Sequence, residues 1–186
     1  MPQAHRVLGC LLAVALLLAG GPQPASAASG KQISRNASAA LHELYATTPA
    51  AKELGSKAKA ILVFPKILKA GFMVGAQGGH GALFKGGKTV GYYNTVAASY
   101  GFQAGVQSFA YALFLMTDSA LEYLGRSGGW ELGTGPSLVV VDVGAAKSLT
   151  TTTLKDDVYA FVFGQKGLMA GIGIQGSKIT RIHPGP

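Results

Sequence analysis

Cysteine is almost absent: of 186 residues only Cys10 is of this type. That excludes a disulfide framework and leaves no thiol for catalysis further along the chain. Acid is also scarce, with 8 Asp and Glu against 16 Lys and Arg, a net charge of +8. Few carboxylates remain for proton transfer or for a cation site. Beyond the first residues the histidines are His42, His80 and His183, which lack metal-ligand spacing. Asp156-Asp157 is the only acidic pair. Adjacent side chains in a strand point to opposite faces, so the pair reads as a turn or strand start. These absences lead us to expect no catalytic residues, no metal and no cofactor. A hydrolase or ligand-carrying enzyme remains an alternative without a residue constellation behind it.

The acid deficit is uneven. Residues 28–88 hold nine Lys or Arg and two acids, Glu43 and Glu53, whereas residues 89–186 hold six of each sign. Such asymmetry points to an anionic partner, either membrane or nucleic acid. The N-terminus selects between them. His5 and Arg6 precede an apolar stretch from Val7 to Ala19, and Gly20, Gly21, Pro22 and Pro24 end it before the small-residue pattern Ala25-Ser26-Ala27. This reads as an export signal over residues 1–27, whose apolar stretch is too short to span a bilayer. The expectation is an exported domain over residues 28–186, in the periplasm or peripheral on an envelope membrane, with no nucleic acid partner. Leu8-Gly9-Cys10 looks like a lipid-attachment box but precedes most of the apolar segment, so we read Cys10 as part of a discarded signal.

Helical periodicity occurs early. Ile33, Ala37, Ala40, Leu41, Leu44 and Tyr45 fall on one helical face. Pro49 suits the first turn of a second helix carrying Ala51, Leu54 and Ala58. From Ile61 the pattern turns to strands: Ile61–Phe64, ended by Pro65, then Phe72–Gln77 and Ala82–Lys85 about a turn at Gly78–Gly81. Thr89–Asn94, Tyr100–Ala104, Gln107–Leu115, Ser137–Val143, Tyr159–Phe163, Leu168–Ile174 and Lys178–Ile182 follow. Thr117 and Asp118 cap a short helix through Leu124, and Thr150–Thr153 reads as a loop or edge strand. The fold class is α+β: short N-terminal helices on a compact, mostly antiparallel, glycine-rich β body, barrel- or sandwich-like.

Two nucleotide-type patterns occur in the wrong setting. Residues 82–89 resemble a phosphate loop, but the following Thr89–Tyr93 favours strand, so a hairpin turn with exposed Lys85 and Lys88 is the better reading. Gly171–Gly176 matches a dinucleotide fingerprint near the C-terminus, where no βαβ unit fits. Trp130 is either a core aromatic or an interfacial anchor.

The densest signal is residues 57–72, an apolar run wrapped by Lys57, Lys59, Lys66 and Lys69 with no acid. Ile61–Phe64 suits the core. Four lysines do not, and a common basic face is expected. Each lysine near an anionic leaflet gains about 1 kcal/mol. Lys31 and Arg35 would assist, and Leu68 and Phe72 are candidates for insertion into lipid.

The same stretch carries a resemblance. Residues 58–65, Lys69-Ala70-Gly71-Phe72, the Gly-Phe-Gln-Ala-Gly-Val-Gln segment at 101–107, and Asp157–Tyr159 followed by residues 166–171 resemble the motifs of the SYLF domain, in order, over about residues 33–182. The resemblance implies a helical N-terminal region on an antiparallel β body. It also implies non-catalytic binding of acidic phospholipids, including phosphoinositides, with a lysine-bearing N-terminal helix taking part. Actin binding, known for fungal relatives, does not suit an exported chain. The expected function is binding of an anionic phospholipid membrane, with a phosphoinositide- or phosphatidic-acid-like headgroup. The expected site is Lys31, Arg35, Lys57, Lys59, Lys66, Leu68, Lys69 and Phe72; protein partners are unknown. The alternative is a small outer-membrane β-barrel or an envelope structural protein.

Overall fold

The computed structural model describes residues 28–141, 155–167, 174 and 176–185; of residues 72, 73 and 99–104 it describes the backbone only. Residues 1–27, read above as an export signal and including Cys10, the Thr150–Thr153 run and nearly all of Leu168–Ile174 lie outside the described residues.

Helix α1, Gly30–Thr47, begins at Ser29, whose hydroxyl accepts a hydrogen bond from the Gln32 amide. Its buried stripe is Ile33, Ala37, Ala40 and Leu44, at the expected helical spacing. Burying Ile33 and Leu44 fully contributes roughly 3–6 kcal/mol. Such packing of an apolar face, more than intrinsic propensity, is what holds a helix in a folded protein. Helix α2, Pro49–Lys57, has Pro49 in its first turn and buries Ala51 and Leu54.

The body of the molecule is one long hairpin. Strand β1 runs Ala60–Lys85 and β2 runs Lys88–Leu115, antiparallel from Ala60↔Leu115 to Lys85↔Lys88. The expected turn at Gly78–Gly81 is therefore corrected. Those residues pair with Val96, Thr95, Asn94 and Tyr93, and the turn is Gly86-Gly87, where both residues have positive φ (56° and 75°). Positive φ at both central positions is the hairpin geometry that glycine permits without strain. Gly79 and Gly81 instead serve a close approach. A Cβ on Gly79 would lie 2.3 Å from the Lys66 carbonyl oxygen, and one on Gly81 would lie 2.5 Å from that of Val63. The second half of β1 thus folds back against the first, which two strands of this length need in order to bury their faces. Register shifts at Phe64/Ile67, Phe72/Val74 and Leu83/Phe84 supply the bends. Pro65 sits in the first of them, so it bends β1 instead of ending it.

Helix α3, Asp118–Gly125, follows Thr117, whose hydroxyl accepts from the Ala120 amide. Strands β3 (Trp130–Glu131), β4 (Leu138–Val141), β5 (Val158–Gly167) and β6 (Lys178–Ile182) complete the sheet. Its order is β3-β6-β2-β5-β4, with β1 on β2. Only β4 and β5 run parallel among the described pairs. Strand β2 is the hub: β6 joins it at Tyr92–Val96 and β5 at Gln107–Leu115. The sheet curls into a half-barrel, and the α+β expectation holds.

Two cores follow from strand alternation. Leu62, Phe64, Ile67, Tyr111 and Leu113 face inward with Trp130 and α3. Ile61, Val63, Ala110, Ala112 and Phe114 face outward beneath α1 and α2. Trp130 is 1 % exposed and its indole N–H donates to the Thr134 carbonyl at 3.0 Å, so it is a core residue.

Candidate functional site

The outer face is incompletely covered. Beyond the reach of α1, Leu68 and Val106 stand 49 % and 60 % exposed. Leu68 pairs with Ser108 and Ala70 with Val106, so Leu68 and Val106 are diagonal neighbours on one face. Ser108 pairs on its other side with Lys166 of β5. Lys66 lies in the bulge beside Pro65, where the register shift turns it to solvent. The arrangement borders a cleft of about 280 Å³ lined by Ala40 and Glu43 of α1, Lys66, Ser108, Phe163 and Lys166. Lys66 and Lys166 are both exposed, and neither joins an ion pair among the described residues.

The predicted site residues divide by position. Lys66 and Leu68 belong to this patch. Lys69 does not: it is 6 % exposed, on the inner face opposite Gln107, itself 4 % exposed. The expectation that all four lysines share a surface is therefore corrected. Ile67, Leu68 and Lys69 alternate faces, so Lys69 follows Ile67 inward. Lys57 is exposed but pairs with Glu53 at 2.9 Å, one helical turn away. Lys59 pairs with Asp118 at 2.6 Å. Lys31 and Arg35 are exposed in the first two turns of α1, and the Arg35 guanidinium donates to the Gln32 side-chain oxygen at 2.6 Å. At 1.5 Å rise per residue they lie about 18 and 12 Å along the helix from Glu43. They share the helix-bearing side without touching the cleft. The Phe72 side chain lies outside the described residues.

On the other flank of α1 a second cleft, about 390 Å³, is lined by His42, Tyr45, Lys59, Phe84, Gly86 and Gly87. The hairpin tip brings exposed Lys85 and Lys88 to its edge. The turn reading of residues 82–89 stands: Thr89 continues into strand, with no helix to face a phosphate.

Val106, Ser108 and Lys166 are the residues that sequence reasoning missed. Alternation along Gln107–Leu115 places Val106 and Ser108 opposite the inward Gln107 and Phe109. The signal for Lys166 is a strand pairing, which no local pattern reveals.

Other chemistry resolves into structure. Asp157 accepts hydrogen bonds from the Thr117 hydroxyl (2.7 Å) and from the Ser137 amide (3.0 Å) and hydroxyl (3.1 Å). These bonds, the Thr117 hydroxyl first, hold its carboxyl below the ordinary carboxylate range. Asp157 thereby clasps the start of β5 to the residues preceding α3 and β4. Burial raises the phenol of Tyr111, which donates to the Thr95 hydroxyl at 2.9 Å. His80 is exposed within β1. Residues 125–129, Gly-Arg-Ser-Gly-Gly, spell Gly-x-Ser-x-Gly. It follows α3 and precedes β3, the reverse of the strand–turn–helix setting of a nucleophile elbow. Among the described residues no three His, Cys, Asp or Glu group to hold a metal, and no helix is long and apolar enough to cross a membrane.

No curated protein matches the chain. A family model, Ysc84, described as Las17-binding protein actin regulator, matches residues 96–183. The match begins inside β2 and runs through β5 and β6, so it takes in Val106, Ser108 and Lys166. Together with the motifs read in order along the chain, the match makes residues 96–183 similar to the Ysc84, or SYLF, family.

Proposed function

We propose that this protein is a non-enzymatic envelope protein that docks peripherally on anionic phospholipid. The observation that carries the reading is the patch on the outer sheet face. Leu68 and Val106, two large apolar side chains about half exposed, lie side by side next to a cleft walled by Lys66 and Lys166. Apolar side chains beside unpaired cations fit the boundary between acyl chains and phosphates. The exposed lysines at the hairpin tip, with Lys31 and Arg35, add longer-range attraction on the helix-bearing side. The resemblance to lipid-binding SYLF domains supports the same reading. The export-signal pattern in residues 1–27 supports an envelope location.

A membrane-spanning barrel is disfavoured, though not by strand length, since β1 and β2 are 26 and 28 residues long. The reason is the cover on the sheet: α1 and α2 pack on the outer face that a barrel would turn to lipid. The actin role in the family description is not carried over to an exported chain.

Flotation tests the proposal. Purified protein is mixed with phosphatidylcholine vesicles, or with vesicles containing phosphatidylglycerol, phosphatidic acid, cardiolipin or phosphoinositide, at low and high salt. Binding confined to anionic vesicles and weakened by salt is the expected result. Equal binding to neutral vesicles, or none to any, refutes it.

A further inference from the structure

The cleft beside the patch is not uniformly basic. Lys66 and Lys166 line it together with Glu43 of α1 and with Ser108, the strand partner of Lys166. Opposite charges around one cleft would ordinarily pair. Here none does: among the described residues the ion pairs are Lys57–Glu53 and Lys59–Asp118, and Glu43 joins no pair. Glu43 is exposed on α1, held there because Ala40 and Leu44 on the adjacent stripe are buried. The two cations and the carboxylate therefore stand more than an ion-pair distance apart across about 280 Å³ of open space. A ligand with one negative group would satisfy the lysines and be repelled by Glu43. A dipolar ligand would satisfy all three.

We infer that the Lys66–Lys166–Glu43 cleft is a headgroup site for aminophospholipid, taking the phosphodiester between the two lysines and the primary ammonium at Glu43. Ser108 supplies a hydroxyl to a phosphate oxygen. The exposed Leu68 and Val106 next to the cleft place the glycerol and acyl end of the same lipid on the apolar patch. A quaternary ammonium has no N–H to give Glu43, so a choline headgroup is the weaker ligand. The inference rests on the membrane-docking reading above and adds a headgroup preference to it. It also gives Glu43, an acid on a basic face, a role in binding.

The test holds the anionic fraction of the vesicles constant. Protein is floated with phosphatidylglycerol diluted either in phosphatidylcholine or in phosphatidylethanolamine. Exchanging choline for ethanolamine lipid is expected to tighten binding about threefold to fivefold, the scale of one exposed ion pair. Glu43→Gln is expected to act in opposite directions on the two mixtures. It strengthens binding to the choline mixture by removing a like charge, and it abolishes the ethanolamine gain. Glu122→Gln removes the same charge from α3, which packs on the inner core, and keeps the gain. Glu122→Gln thus controls for net charge, and Glu43→Gln separates headgroup recognition from the looser packing of ethanolamine lipids, which neither substitution would change. Phosphatidylglycerol-dependent binding with no ethanolamine gain, or with a gain that survives Glu43→Gln, overturns the inference and leaves the docking reading intact. Failure to bind either mixture overturns both.

Discussion

Replacing Lys66 and Lys166 together by alanine puts the docking patch to a quantitative test. Both side chains are exposed and in no ion pair among the described residues, so truncation removes two uncompensated charges without breaking a core contact. At about 1 kcal/mol per lysine near an anionic leaflet, the pair contributes about 2 kcal/mol. That is close to a 30-fold weakening. Leu68→Ser with Val106→Ser should cost a comparable amount for a different reason. Each side chain is about half exposed in the free protein, and covering the remainder with lipid is worth about 1 kcal/mol. Salt separates the two effects. The screening length falls from about 8 Å at physiological ionic strength to about 3 Å at 1 M. The lysine deficit should therefore shrink as salt rises while the apolar deficit persists. Lys57→Ala with Lys59→Ala should weaken binding less than about threefold, since Glu53 and Asp118 already answer those charges. The assay is a vesicle titration at fixed protein concentration, read by flotation at several salt concentrations. If the Lys66/Lys166 double variant shows the wild-type midpoint at low salt, or if the Lys57/Lys59 variant loses as much, the patch is misplaced.

Three further outcomes follow from the fold. Asp157→Ala should lower stability by about 1–2 kcal/mol through its lost hydrogen bonds, measured by urea unfolding. Because the folded carboxyl titrates below its ordinary value of 3.8, its contribution is present at neutral pH and fades as pH falls below about that value; a variant whose deficit stays constant from neutral pH to about pH 2 would contradict this. Gly81→Ala forces a Cβ against the Val63 carbonyl and should cost about 1–3 kcal/mol or more, whereas Gly128→Ala, with open space around it, should be near neutral in the same urea assay. Trp130 is buried away from the outer face, so its emission maximum should not move when anionic vesicles are added; a blue shift on binding would place it in the membrane instead.

The helices were legible because their signals are local. The Ile33–Leu44 stripe, Pro49 and the Thr117 cap each state a helix within a few residues, and all three stand in the structure. The strand Lys178–Ile182 was equally plain. The hairpin was harder. Gly78–Gly81 and Gly86-Gly87 both read as turns, and only tertiary packing separates a glycine used for backbone approach from one used for positive φ. Lys69 was misread for a related reason. A lysine on an apolar run suggests surface, but the residue faces the inner side of a curled sheet, and curl is not written in any local window. At the site, Lys66 and Leu68 were visible as composition. Their neighbours Val106 and Lys166 arrive through pairings across 40 and 58 residues of chain, Leu68 to Ser108 and Ser108 to Lys166, which no periodicity encodes.

The pairing of β1 with β2 has a consequence for how the chain reaches this structure. Its ladder starts beside a two-residue loop and ends where Ala60 meets Leu115, so each closed pair shortens the loop needed for the next. Such a hairpin can zip from its tip. Strand β6 has no such route. It joins β2 near Tyr92 only after the whole intervening chain exists, and the Gly30 amide then bonds the Gly185 carbonyl at 3.2 Å. The two ends of the described fold are thus neighbours. A circular permutant joining them and opened between Gly86 and Gly87 would keep every strand pair. It would turn the most local contacts of the protein into its most distant ones, and should fold more slowly to the same structure.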